Sequence, residues 1–189
     1  MYRISKRISL LLVSFLIVGC GRNNNGVSNY TERAWQINED EVAENMIESV
    51  VSGINNHDAN SIKCVFSENA LDNAEDIDAS IDELYDFLGE PIVSYEEGNG
   101  SGSTMESSDA SYRNLIGYLC YNVYTENDEY YFCIEDDFVN TKDTSKEGVK
   151  YIIVVKSDDI SKIYDGNEKI LYDGTEEIDR YGIYIPENN

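Results

Sequence analysis

At Pro91 the hydrophobic period of this chain changes, and no other feature limits its fold as much. Before Pro91, apolar residues recur at three- and four-residue steps. Ala43, Met46, Ile47, Val50, Val51 and Ile54 form one stripe, and Ile77, Ile81, Leu84, Tyr85 and Leu88 form another. Stripes of this kind line one face of an amphipathic helix, whereas the alternation that follows Pro91 belongs to half-buried strands. Helices first and strands afterwards imply an α+β domain, with N-terminal helices packed on a curved antiparallel sheet.

Local signals mark the element ends. Asn38 with Glu41 reads as a capping box, either internal to the first helix or at its true start. Asp58 caps a short second helix whose Ala59, Ile62, Val65 and Phe66 point inward. The third helix runs from about Glu75 to Leu88, and Gly89 stops it. Strands are expected at Ile92–Glu97, Tyr112–Thr125, Tyr130–Val139, Val149–Lys156 and Tyr181–Pro186, with Gly98–Ser108 a flexible loop or a long hairpin bend. Val149–Lys156 is the most apolar strand, so it should be central and deeply buried. A hairpin bend at Asn127-Asp128 puts Leu119, Tyr121 and Val123 on one face with Tyr130, Phe132 and Ile134, against the helices. The opposite face, with Tyr118, Cys120, Asn122, Tyr124, Tyr131, Cys133 and Glu135, should be wetter.

The N-terminus addresses the chain. Arg3, Lys6 and Arg7 precede the apolar run Ile8–Val18, which ends in Ile17-Val18-Gly19-Cys20. A basic start, a short apolar stretch and a small residue before the cut make a secretory signal peptide. A comfortable membrane span needs about 20 apolar residues, more than this run supplies. Ile-Val-Gly-Cys also resembles the bacterial lipobox, in which the cysteine receives diacylglycerol and an acyl chain such as palmitate. The expected organisation is therefore residues 1–19 as signal peptide, 20–33 as lipidated Cys20 and flexible tether, and 34–189 as one domain. The expected location is the outer side of the cell membrane, held by a lipid anchor.

Charge and motif content narrow the function. The chain has 14 Lys and Arg against 37 Asp and Glu, a formal net charge of −23. That balance opposes nucleic-acid binding, which needs a cationic surface to displace counterions. No Gly-x-Ser-x-Gly, P-loop or dinucleotide fingerprint occurs, so no cofactor is expected. Cys64, Cys120, Cys133 and the single His57 lack zinc spacing, and no acidic stretch has the alternate ligands and glycine of an EF-hand. Cys64 reads as a small core residue. Cys120 and Cys133 fall one diagonal step apart in the hairpin register above; a one-residue shift on each strand would bring them opposite, where a disulfide fits. His57 lies in a polar turn, Asp58 is explained as a cap, and Tyr118, Tyr124 and Tyr131 form a candidate stacking surface.

The order of several short motifs resembles a known family. Asp58 to Ala70, with its Phe66-Ser67, is similar to the opening of nuclear transport factor 2-like domains. Residues 34–186 resemble an uncharacterised family of Gram-positive lipoproteins, a domain of unknown function. The stretches that carry this are Asp58–Ala70, the acidic helix Asp76–Leu88 with Gly89, Tyr124-Thr125 with Tyr130-Tyr131, Gly148 before Val149–Val155, and Gly182-Ile183. The resemblance implies a cystatin-like cone of helices against a curved sheet, with a pocket between them. That pocket is expected to be lined by Met46, Val50, Tyr85, Leu119, Tyr121, Phe132 and Val154, with at most one ionisable group. The leading reading is a non-catalytic domain that binds an unknown small molecule, peptide or envelope protein. The alternatives are an extracytoplasmic enzyme built on pocket carboxylates and tyrosines, and a structural part of an envelope complex.

Overall fold

The computed structural model describes residues 37–108, 112–164 and 179–186. Helices α1 (Glu39–Asn56), α2 (Ala59–Lys63), α3 (Glu68–Asn73) and α4 (Ile77–Leu88) come first. Strands β1 (Ser94–Glu97), β2 (Gly102–Ser108), β3 (Tyr112–Tyr124), β4 (Glu129–Asn140) and β5 (Gly148–Lys156) follow. A four-residue helix, α5 (Ser161–Tyr164), precedes β6 (Gly182–Tyr184). The fold is α+β, an open six-stranded sheet in the order β1-β3-β4-β5-β6, with β2 also paired to β3.

Side-chain caps explain most of the helix starts. Asn38 is the N-cap of α1, so the Asn38–Glu41 pair marks its true start. Asp58 Oδ1 accepts from the Asn60 and Ser61 N–H groups at the head of α2, Ser67 Oγ from Ala70 N–H in α3, and Asp76 Oδ1 from Ala79 N–H in α4. Each such bond satisfies an amide that the helix itself leaves unpaired. The six-residue α3 has too short an apolar stripe to be read from sequence.

Three sheet features depart from the expected pattern. Gly98–Ser108 is not all loop, because Gly102–Ser108 pairs with Tyr112–Tyr118 as β2. The 13-residue β3 is far longer than the four-residue β1, so part of its edge is left for β2. The sheet is mixed rather than wholly antiparallel. Strand β6 runs parallel to β5, and the long connection between them lets the chain cross over before pairing. The β3–β4 hairpin also turns one residue earlier than a bend at Asn127-Asp128, with residues 125–128 as its loop, so Tyr124 pairs with Glu129 and Cys120 with Cys133.

The inner face meets the helices. Ile47 and Val50 of α1 and Ile81 and Leu84 of α4 pack with Val123, Phe132, Ile134, Ile152 and Val154 of the sheet. All are nearly inaccessible, and burying each such side chain contributes about 1.5–3 kcal/mol. As expected, β5 is buried along most of its length, but it is not central: β4 holds the middle of the sheet, and only the three-residue β6 lies beyond β5. At the start of β5, Gly148 adopts φ +123°, and a Cβ there would meet the Ser67 nitrogen at 2.9 Å. That glycine lets the link between α2 and α3 lie against the strand.

The outer face is drier than expected. Cys120, Tyr131 and Cys133 join Tyr151, Ile153, Val155 and Ile163 in a second buried cluster, and Glu135 is 5% exposed. Ile160 and Ile163, on the segment after β5, cover this face. That cover comes from a distant part of the chain, so strand alternation alone did not reveal it.

Candidate functional site

A groove of about 510 Å³ lies between the first half of α1 and the edge of the sheet formed by β1, β2 and β3. Its floor is Ala43, Ile47, Tyr95, Leu119, Tyr121 and Phe138. The chain arrives at this shape by identifiable steps. Ala43 is small and leaves space at the helix surface. Tyr121 reaches across to α1, where its hydroxyl donates to the Ala43 carbonyl at 3.4 Å. The Tyr95 and Tyr121 rings meet edge to face, 6.1 Å between centroids. A β-bulge pairs Leu115 with Val139 and Ile116 with Asp137, so Phe138 is the extra residue in β4. Its ring lies over Gly117, where a Cβ would come within 2.4 Å of it. Bulges re-aim side chains in this way.

Carboxylates surround the floor. Glu39, Asp40 and Glu44 stand on α1, and Glu96 and Glu97 on β1. Glu39 and Asp40 occupy the first helical turn, where the helix dipole favours negative charge. Among the described residues, none of the five takes part in an ion pair. Glu96 accepts from the Tyr124 hydroxyl at 2.8 Å. Burial raises the pKa of the Tyr95 phenol, with help from Glu48 and Glu44. Burial raises that of Tyr121 further, and Glu97 adds to it. Both shifts favour the neutral phenol, and the Tyr121 hydroxyl donates to the Ala43 carbonyl.

Of the residues expected to line a pocket, the groove contains Leu119 and Tyr121. Met46, Val50, Phe132 and Val154 belong instead to the core that fills the space between α1, α4 and the sheet. Tyr85 lines a second, smaller cavity of about 80 Å³ with Ile54, Asn55, His57 and Leu88. There His57 stacks on Tyr85 at 4.7 Å. His57 is also the one non-glycine residue of positive φ (52°) among those described, at the C-cap of α1. The five rim carboxylates exceed the single ionisable group expected. Their signal in the sequence was the acidic cluster at the helix start and the Glu96-Glu97 pair, which read equally well as solvated charge.

The other candidates disperse. Cys20 lies outside the described residues. Cys64 is exposed at the C-cap of α2 rather than in the core. Tyr131 is buried, its hydroxyl donating to the Asn99 carbonyl at 2.5 Å, so Tyr118, Tyr124 and Tyr131 do not make a common stacking surface. Cys120 and Cys133 are buried, directly opposed, and carry thiols. On the outer face, Lys150 bridges Glu135 at 3.3 Å and Asp179 at 2.9 Å. Among the described residues no group of His, Cys, Asp and Glu is arranged to hold a metal ion. His57 and the groove carboxylates occupy separate cavities. The groove therefore offers shape, apolar contact and negative potential, and Ser101 and Ser103 add hydroxyls to its wall.

A family model described as a domain of unknown function, DUF5104, matches residues 49–157. The chain belongs to this family. No curated protein matches it.

Proposed function

We propose that this DUF5104 protein is a lipid-anchored extracytoplasmic binding domain without catalytic activity, whose groove takes a ligand with an apolar body and a cationic head. The lipidated-Gram-positive-protein part of this reading rests on Arg3 to Cys20 and its resemblance to a lipobox. Among the described residues no helix is long and apolar enough to cross a membrane.

The binding part rests on one observation. Five carboxylates that take part in no ion pair among the described residues ring an aromatic and aliphatic floor. A volume of about 510 Å³ falls in the usual small-ligand range of roughly 300–1,000 Å³. Negative potential around an apolar cleft favours cations and raises their local concentration, and the Tyr95 and Tyr121 rings add faces on which a cation can rest. An enzyme remains the second reading because of Asp136. It is 3% exposed and close enough to Tyr121 to contribute to its raised pKa. It does not line the groove, so the binding reading is preferred.

Calorimetric titration of the full chain with dodecyltrimethylammonium and with dodecyl sulfate, each below its micelle-forming concentration, tests the reading. Binding of the cationic probe alone is expected, weakening with salt. Glu44→Gln and Glu97→Gln should each weaken it about two- to fivefold, the scale of an exposed charge pair at about 0.5–1 kcal/mol. Glu83→Gln, exposed on α4, should leave it unchanged. Equal binding of both probes, or indifference to Glu44 and Glu97, overturns the groove assignment.

A further inference from the structure

We infer that Cys120 and Cys133 are a disulfide-forming pair, a covalent clasp across β3 and β4. The two residues are direct partners in the antiparallel ladder, and both project to the outer face, within one buried cluster.

The kind of pairing matters as much as the register. Opposed residues in an antiparallel ladder alternate between pairs that exchange backbone hydrogen bonds and pairs that do not. The second kind brings Cα atoms to about 4.5 Å instead of about 5.5 Å. The backbone of Cys120 decides which applies. Its carbonyl accepts from Gly98 N–H at 2.7 Å, and its N–H donates to Ser101 Oγ at 3.0 Å. Both groups point to the β1–β2 connection, away from β4. Cys120 and Cys133 are thus a non-hydrogen-bonded pair, with side chains at the closest approach the sheet allows. A Cα separation of about 4.5 Å lies within the range of about 4.4–6.8 Å that a disulfide spans. Neighbouring pairs Leu119–Ile134 and Tyr121–Phe132 put their side chains on the inner face, so no other pair in this stretch competes for the position.

The chemistry balances through thiol–disulfide exchange with a disulfide oxidant. One cysteine thiolate attacks a sulfur of the oxidant's disulfide and releases the first thiolate. The second cysteine thiolate then attacks the mixed disulfide and releases the second. The protein loses two protons and two electrons, and the oxidant becomes two thiols. At 1% and 5% exposure the cysteines are shielded once Ile160 and Ile163 cover them. Exchange therefore belongs to folding, or to an opened state of the segment after β5.

The full chain, refolded from urea in a buffer of reduced and oxidised glutathione, tests this without burial as a barrier. After acid quenching and alkylation, trypsin releases both cysteines on one peptide, residues 114–142, bounded by Arg113 and Lys142. The expected product is that peptide two hydrogens lighter than its dithiol and unalkylated. Glutamyl cleavage between the cysteines should leave its halves joined. The oxidised chain should unfold at higher urea than the same chain after reduction, and a Cys120→Ser chain should lose that difference. Cys133→Ala provides the same comparison should Cys120→Ser fail to fold. Two alkylated cysteines, two separate glutathione adducts, or bonds from either residue to Cys20 or Cys64 overturn the inference.

Discussion

Single residues in β4 show how burial sets charge behaviour in this fold. Asp137 is 8% exposed and its main polar contact is Asn140, whose Nδ2 donates at 3.1 Å. Burial raises its pKa above the ordinary carboxylate range, more than the Asn140 bond lowers it. A carboxyl group whose pKa is raised on folding favours the native state most when protonated. Its contribution is fully present below the unfolded pKa of about 3.9 and is lost as pH rises through the folded value. Asp137→Asn keeps an oxygen for Asn140 and removes the buried charge. It should raise the urea midpoint at pH 7 and give little gain near pH 3. A variant less stable than the parent at pH 7 would show that the charge of Asp137 is compensated. Two residues earlier, Glu135 forms an ion pair with Lys150 at 3.3 Å.

Among the elements, the join between α1 and β1 depends on one amide. Asn55 Nδ2 donates to the Ile92 carbonyl at 2.9 Å, and Asn55 Oδ1 accepts from Ile92 N–H at 2.7 Å. A helix side chain thereby acts as a strand partner for the residue just after Pro91. Asn55→Ala should cost about 1–3 kcal/mol by urea denaturation, because both Ile92 groups lose their partner. Asn55→Asp retains the acceptor alone and should fall between the two. The same comparison of elements shows what the chain discloses. Stripes such as Ile77, Ile81, Leu84 and Leu88 placed the long helices, since a 3.6-residue period is a local property. Strand β2 was hidden because Gly102-Ser103-Thr104 has no alternation; the unpaired length of β3 makes it a strand. Leu119 and Tyr121 were legible as inner-face residues. Their separation from Met46, Val50, Phe132 and Val154 was not, because it depends on how far α1 stands from the sheet. That spacing follows from Ala43 and the bulge at Phe138.

At the scale of the whole molecule, a formal charge of −23 disfavours holding an anionic membrane by charge, so the proposed membrane attachment rests on Cys20 alone. Replacing Cys20 with Ala and fractionating cells should move the protein out of the membrane fraction. Retention of the processed variant on membranes would show that Cys20 is not the anchor. The sheet's far edge has a different consequence. Strand β5 is sealed there by pieces distant in sequence. Val149 exchanges backbone bonds with Val65 and Ser67, and residues 151–153 pair with β6. A chain that emerges from its N-terminus presents Val149-Lys150-Tyr151-Ile152-Ile153-Val154-Val155 before Gly182–Tyr184 has arrived to cover it. During that interval the most apolar strand has an open edge, the template on which chains add to one another. The delay before Gly182–Tyr184 follows then governs how much of the protein aggregates before it can fold.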